Sequence, residues 1–383
     1  IKTISKFMKN ILFIAPTNYT LPINETLKKK FFALSEVCNV RVLAFADIST
    51  TMNEEYGKFF LYKKIKNRLI NYLKIIQISI FVTPNIIKKE KINIVCYQDP
   101  VSSFFSILFL KIRSIDVKII VETHGDFIET LSLEKNLLFP NTYKRFFFLM
   151  AKYSLNKCDK VRAVSSSTEQ QVIQISPSKD IVRFPAWVDF KDFEEIDSAI
   201  VNHDKFNILF IGSVTDRKKP HMIIDAINSL QDQNINLSIV GPTPNEKYLE
   251  ELKELIVKRN LSSQISLIGT VDRDKVKEFY KNSSLMVLPS ISEGLARVIF
   301  ESQVASCPVL VTDAPGMGDI VIDGQTGYMF ESNNLESLSE KIAYIKDNYE
   351  EVTAIAKNAK NFILTNYSED NFKFSFKKLF DTV

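Results

Sequence analysis

The sequence predicts an α/β protein made of two doubly wound, mainly parallel sheet domains. Three observations carry that expectation. At 383 residues the chain exceeds the size at which a single hydrophobic core stops growing. Short β-branched runs alternate with longer amphipathic stretches from end to end, which is the pattern of strand–helix–strand units in a sheet covered on both faces. The alternation breaks once, across the polar and acidic stretch 189–205, and then restarts.

The elements follow in order. MKNILFIAP reads as the natural start at Met8, so residues 1–7 are set aside from the fold, and no secretory signal precedes the first strand. Strands are predicted at ILFIAP (11–16), VRVLAF (40–45), INIVCY (92–97), KIIVET (118–123) and KVRAV (160–164). Apolar residues at helical spacing predict helices over 24–37 and 142–155. LYKKIKNRLINYLKIIQISIF (61–81) is basic and amphipathic, a solvated helix face or a membrane-surface helix. After the break, strands are predicted at 206–212, 235–241, 264–269, 284–290 and 307–313. The tail SEDNFKFSFKKLF (368–380) starts on a helix-favouring serine and spaces its Phe residues to pack on something apolar. The expected domains are therefore 8–188 and 206–366, joined by the linker 189–205.

Charge separates the two halves. Residues 1–190 hold 28 Lys+Arg and 16 Asp+Glu, a balance of +12, whereas 191–383 hold 21 and 29, a balance of −8. A basic N-terminal half suggests an anionic partner, and a membrane surface fits better than nucleic acid because no aromatic-rich basic motif is present. Cys38, Cys96, Cys158 and Cys307 are far apart and mostly in or beside apolar runs, which reads as buried reduced thiols in a reducing, cytoplasmic setting. His124, His203 and His221 show no ligand spacing, so a zinc site is not expected. The longest apolar runs, such as FFSILFL (104–110), are well short of the ~20 residues a membrane span needs.

Two stretches carry chemistry. In SEGLARVIFES (292–302), Glu293 stands at a predicted helix mouth and Glu301 about two turns further on. The amides of Gly294, Leu295 and Ala296 would face outward at the positive end of that helix, which suits a phosphate. A carboxylate repels a phosphate, so Glu293 suits the hydroxyls of a sugar beside it, and Glu301 those of a ribose. A helix-start glutamate followed by an exposed one is the plainer alternative, which this motif alone leaves open. In FIGSVTDRKKPHMIIDAI (210–227), a strand ends at Gly212 and a loop carries Arg217, Lys218 and Lys219 ahead of Pro220, a favourable first helical residue. Such a loop can neutralise a diphosphate. Both stretches sit at strand carboxyl ends of the same domain, where doubly wound sheets bind ligands.

With these residues in place, the second half resembles the donor-binding domain of glycosyltransferase family 4. FIGSVTDRKKP occupies the place of the family's Gly-Arg-hydrophobic-x-x-x-Lys segment, and Glu293 and Glu301 match its E-x7-E motif. The resemblance covers 206–346 well; VETHGD (121–126), CDKVRAVSSST (158–168) and FPAWVDFKDF (184–193) extend it more weakly into the first half. It implies a GT-B fold: two Rossmann-like domains facing a cleft, with the C-terminal helix 368–383 returning to the N-terminal, acceptor-binding domain. It implies that Lys218 contacts the donor diphosphate, Glu293 the sugar and Glu301 the ribose. His124 would lie near the transferred sugar, and the base near Gly269 to Val271. No metal is obligatory. Departures are visible: Ser213 replaces the usual arginine after Gly212, leaving Arg217 to supply that charge, Ala296 stands where Gly or Pro is common, and Asp319 stands in for a glutamate.

Two decoys are set aside. DRD (272–274) opens a helical pattern and reads as an N-cap rather than a metal motif. GMGDIV (316–321) lacks the third glycine of a dinucleotide fingerprint. The expectation is a retaining glycosyltransferase that moves a sugar from a nucleoside-diphosphate sugar, such as a UDP- or GDP-sugar, to a glycan or lipid-linked acceptor. Surface polysaccharide or glycolipid synthesis is the expected setting, with possible attachment to the inner face of the cell membrane through the basic half. A nucleotide-sugar epimerase and a non-catalytic nucleotide-sugar binder are the alternatives.

Overall fold

The computed structural model describes residues 8–65, 74–125, 140–198, 205–291, 293 and 296–383. The chain divides into two units: residues up to Trp187 together with Glu369–Val383, and the continuous stretch Val188–Ser368.

The first unit is an eight-stranded sheet in the order β3-β4-β2-β1-β5-β6-β7-β8. Its strands are β1 Asn10–Tyr19, β2 Asn39–Ala46, β3 Thr50–Glu54, β4 Gly57–Lys63, β5 Ile94–Tyr97, β6 Lys118–Thr123, β7 Lys160–Ala163 and β8 Ile181–Arg183. All pairings are parallel except β3 with β4. The period of two along β1 divides its side chains between two cores. Ile11 and Phe13 face a layer that contains Phe31, Phe59 and the C-terminal helix, and Leu12 faces one that contains Ile107 and Met150.

The C-terminal helix Glu369–Asp381 completes the first of those layers. Phe372, Phe376, Leu379 and Phe380 fall at i, i+4, i+7 and i+8, a single apolar stripe, and all are buried. Phe376 meets Phe184 edge-on with ring centres 5.0 Å apart and Phe13 at 6.3 Å. Burying each such ring stabilises the fold by about 1.5–3 kcal/mol, so the helix is held by hydrophobic area rather than by propensity. Its return to the N-terminal unit matches expectation.

The second unit is a fully parallel six-stranded sheet, β11-β10-β9-β12-β13-β14. Its strands are β9 Phe206–Ile211, β10 Ile235–Val240, β11 Ile265–Gly269, β12 Leu285–Leu288, β13 Val309–Thr312 and β14 Tyr328–Phe330. β12 and β13 are buried at every position, the continuous apolar run of a strand covered on both faces.

Two expectations change. The stretch read as a linker from 189 is packed as far as Ser198: Phe190 and Phe193 are buried in the second unit's core, and the Ser198 amide donates to the Ala305 carbonyl at 3.0 Å. Its acidic residues hid two aromatic anchors, and 199–204 lie outside the described residues. The amphipathic stretch 61–81 is not one helix either. Leu61–Lys63 end β4, 66–73 lie outside the described residues, and Ile78–Val82 form a π-helical turn.

Candidate active site

At the carboxyl edge of the second sheet, two backbones pass unusually close. Gly212 follows β9 with φ +139°, and Gly241 follows β10 with φ +138°. A side-chain carbon at Gly241 would lie 2.0 Å from the Gly212 carbonyl oxygen, so no other residue fits there without moving the strand end. Beyond Gly212 the chain makes a short 3₁₀ turn, Asp216–Lys218, passes through Lys219 in the left-handed conformation, and enters the helix Pro220–Leu230.

That turn sends Lys218 back over the strand end. Its Nζ sits 3.1 Å from the position a Cβ on Gly212 would take. Lys218 is 12% exposed and pairs with the Glu293 carboxylate at 3.1 Å. Arg217, 43% exposed, reaches the same oxygen at 3.4 Å. The Ser290 hydroxyl donates to it at 2.9 Å, and the Thr312 hydroxyl donates to the Ser290 carbonyl at 2.7 Å. Groups from the loops after β9 and β12 therefore meet at one carboxylate, and the end of β13 holds Ser290 through Thr312. The arrangement holds two cations close together with one anion between them, which suits an exchange of the carboxylate for a more highly charged phosphate group.

The remaining expected residues are placed as follows. The helix after Glu293 runs Arg297–Val304 and is preceded by Ala296, which is buried and in the cap position. The helix thus begins later than the motif implied, and Gly294 and Leu295 lie outside the described residues. Glu301 is not brought to Glu293 but pairs elsewhere, accepting from the Tyr280 hydroxyl at 3.2 Å. Burial pushes its carboxyl above the usual range, against the lowering pull of the Tyr280 hydrogen bond and of Arg273 and Arg297. Gly269 ends β11 with φ +78° and receives the Gly241 amide on its carbonyl at 2.8 Å; Val271 packs on the core. Asp272 caps the helix Arg273–Lys281 by accepting from the Lys275 amide at 2.9 Å, as its position in DRD predicted. GMGDIV forms a turn and opens no helix.

In the first unit His124 directly follows β6, and its Nε2 lies 3.1 Å from Oε2 of Glu122. Glu122, two residues back on the same face of the strand, is buried and pairs with Arg162 of β7 at 3.1 Å. Burial raises the Glu122 carboxyl, but Arg162 and the His124 hydrogen bond outweigh it and hold it at about 2. Sequence reasoning passed over Glu122, Arg162, Tyr280 and Ser290. Only Glu122 carried a signal, a carboxylate at i−2 from a strand-end histidine.

Two Rossmann-like sheets, the second fully parallel and the first parallel except for its edge pair β3–β4, are the architecture of GT-B glycosyltransferases. Residues 192–362 match the family described as glycosyl transferases group 1, and residues 35–192 match glycosyltransferase family 4. The chain belongs to glycosyltransferase family 4. It is 32% identical over 238 residues to an uncharacterized glycosyltransferase of Methanocaldococcus jannaschii, covering 61% of this chain and 62% of that one. It is 26% identical over 210 residues to the capsular polysaccharide biosynthesis glycosyltransferase CapM of Staphylococcus aureus, covering 51% and 54%. These matches thus span little more than half the length of each relative. In fold the chain resembles the Anabaena protein HepE, solved with UDP, with TM-score 0.74, 14% identity and coverage of 98% and 100%. A Rickettsia africae glycosyltransferase gives TM-score 0.72 at 18% identity, covering 98% and 99%. Among the described residues no helix is long and apolar enough to cross a membrane.

Proposed function

We propose that this chain transfers a sugar from a nucleoside-diphosphate sugar to an acceptor hydroxyl with retention of anomeric configuration. The observation that carries the reading is the Lys218–Glu293–Arg217 cluster at the carboxyl edge of the second sheet. A diphosphate displaces Glu293 from Lys218 and Arg217. The freed carboxylate then accepts from hydroxyls of the sugar attached to that diphosphate. As the sugar–oxygen bond lengthens, negative charge grows on the leaving phosphate, and the two preorganised cations stabilise it. The acceptor attacks from the face the diphosphate leaves, and its proton passes to a departing phosphate oxygen. This route needs no protein nucleophile and no obligatory metal.

His124 would orient a sugar hydroxyl, and Glu301, a half-buried acceptor already aligned by Tyr280, the ribose. A role in surface polysaccharide or glycolipid synthesis is supported by the likeness to CapM, whose name places that relative in capsule formation. The basic first half supports attachment to an anionic membrane surface on the cytoplasmic side, where each Lys or Arg near the surface contributes about 1 kcal/mol. The test is a thermal-shift screen with UDP, GDP and their sugars, followed by NMR of the product formed with simple glycoside acceptors. Stabilisation by a nucleoside diphosphate and an unchanged anomeric configuration are expected. Stabilisation by neither nucleotide rejects the reading, and an inverted product rejects the retaining mechanism.

A further inference from the structure

The first unit contains an ion pair that the transfer chemistry above does not use. Glu122 and Arg162 stand directly opposite each other in the parallel register of β6 and β7, and each side chain is 2% exposed. Two charges inside a sheet layer are costly to desolvate unless paired and further bonded. Here the pair is bonded further, although the Arg162 Nε is buried without a hydrogen-bond partner among the described residues. The Arg162 guanidinium lies 4.2 Å from the Phe184 ring centre and 4.8 Å from that of Phe376 on the C-terminal helix. It also donates to the Pro185 carbonyl at 2.6 Å. Glu122 directs one oxygen, Oε2, at both Arg162 and His124, each at 3.1 Å. Its other oxygen is buried without a hydrogen-bond partner. A carboxylate kept ionised in this way only accepts, so the imidazole nitrogen facing it must carry a proton. His124 itself is 38% exposed, and among the described residues no hydrogen bond reaches its Nδ1.

We infer that Glu122 is a positioning residue: clamped by Arg162 between two phenylalanine rings, it fixes the His124 ring with Nε2–H turned into the sheet. That leaves Nδ1 as a hydrogen-bond acceptor for a hydroxyl of a bound sugar. The C-terminal helix supplies Phe376, one wall of the clamp, so the tail of the chain contributes to the setting of a strand-end histidine. Among the described residues, Asp99, in the turn after β5, is the other carboxylate whose field reaches the ring. It accepts from the Ser102 amide at 2.5 Å, which leaves Glu122 as the carboxylate bonded to the imidazole. The inference rests on the sugar-transfer reading for its purpose, but its geometry is measurable without substrate.

The chain has only three histidines, which makes selective labelling decisive. The experiment records proton–nitrogen spectra of the full chain with ¹⁵N-labelled histidine above neutral pH, with His124→Asn identifying the resonance. The wild type is expected to show a persistent His124 Nε2–H cross-peak, protected from solvent exchange by Glu122. The double variant Glu122→Met/Arg162→Met replaces the pair with apolar side chains of similar bulk, a kind of exchange that is often neutral for folding. In it the cross-peak is expected to broaden beyond detection, while the His221 signal, from the ring bonded at Nδ1 to Tyr248, is unchanged. If the double variant does not fold, the wild-type spectrum decides, through the tautomer it reports for His124. Turnover should fall on the order of 10²-fold with the donor KM little altered, the effect of misorientation rather than lost binding. A proton found on Nδ1 in the wild type, or equal protection in wild type and variant, overturns the inference. Neither outcome bears on whether the second unit binds a nucleotide.

Discussion

The two units place their charges differently on similar sheets. In the second, the charged groups stand on loops just beyond strand ends: Lys218 is 12% and Arg217 43% exposed, and both share a single carboxylate. In the first, Glu122 and Arg162 lie within strands, each 2% exposed, and two aromatic rings flank the Arg162 guanidinium. Under the proposed function the loop cluster trades its carboxylate for a ligand, since each of its members keeps some contact with solvent, from 9% exposure at Glu293 to 43% at Arg217. The strand pair cannot, since separating it would leave two buried charges alone. Ligand binding is accordingly proposed for the loops and orientation for the strands.

The comparison breaks most visibly at the clamp. Phe376→Ala removes a buried ring that touches Phe13, Phe184, Phe372 and Arg162, and should cost about 3–5 kcal/mol in denaturant unfolding. An equivalent truncation of an exposed ring on the same helix, Phe374→Ala, should change stability by less than about 0.5 kcal/mol. On the loop side, Lys218→Ala should lower turnover on the order of 10²–10³-fold, about 2.7–4 kcal/mol of transition-state stabilisation, with the far-UV circular dichroism unchanged.

The fold was largely readable because its strands are short apolar runs between helical stretches, and nearly every predicted strand forms within a residue or two of its place. What escaped has physical causes. β8 and β14 are three residues each, too short for a period of two to register. The β3–β4 hairpin was missed because β3 is a polar edge strand and the buried residues of β4, Phe59 and Leu61, are separated by a further aromatic, Phe60, which blurs the period of two. At the site, Lys218, Arg217 and Glu293 were legible because they follow strands in order. The pairing of Glu122 with Arg162 was not, since it depends on the register of two strands forty residues apart. Nor was the partnering of Glu301 with Tyr280, which joins two separate helices.

Smaller effects sharpen the contrast. Glu122 has its carboxyl lowered from 4.5 to about 2, so the stability it gives is present above about pH 4.5 and is lost as pH falls towards 2. The stability gap between wild type and Glu122→Gln should therefore close on acidification, and acid titration followed by fluorescence checks it. Glu301 has the opposite sign. Its carboxyl is raised by burial, so keeping it ionised opposes folding. Glu301→Gln should leave the protein as stable or slightly more so at pH 7, within about 1 kcal/mol, while weakening donor binding roughly tenfold if it grips the ribose.

Under the proposed function, the carboxyl edge of the second sheet holds a diphosphate through Lys218. Calorimetric titration of the wild type and of Lys218→Ala, each with a nucleoside diphosphate and with the bare nucleoside, measures the diphosphate's share directly. Tighter binding of UDP or GDP than of its nucleoside by the wild type, and loss of that advantage in the variant, is the predicted result. An advantage of equal size in both proteins would contradict it.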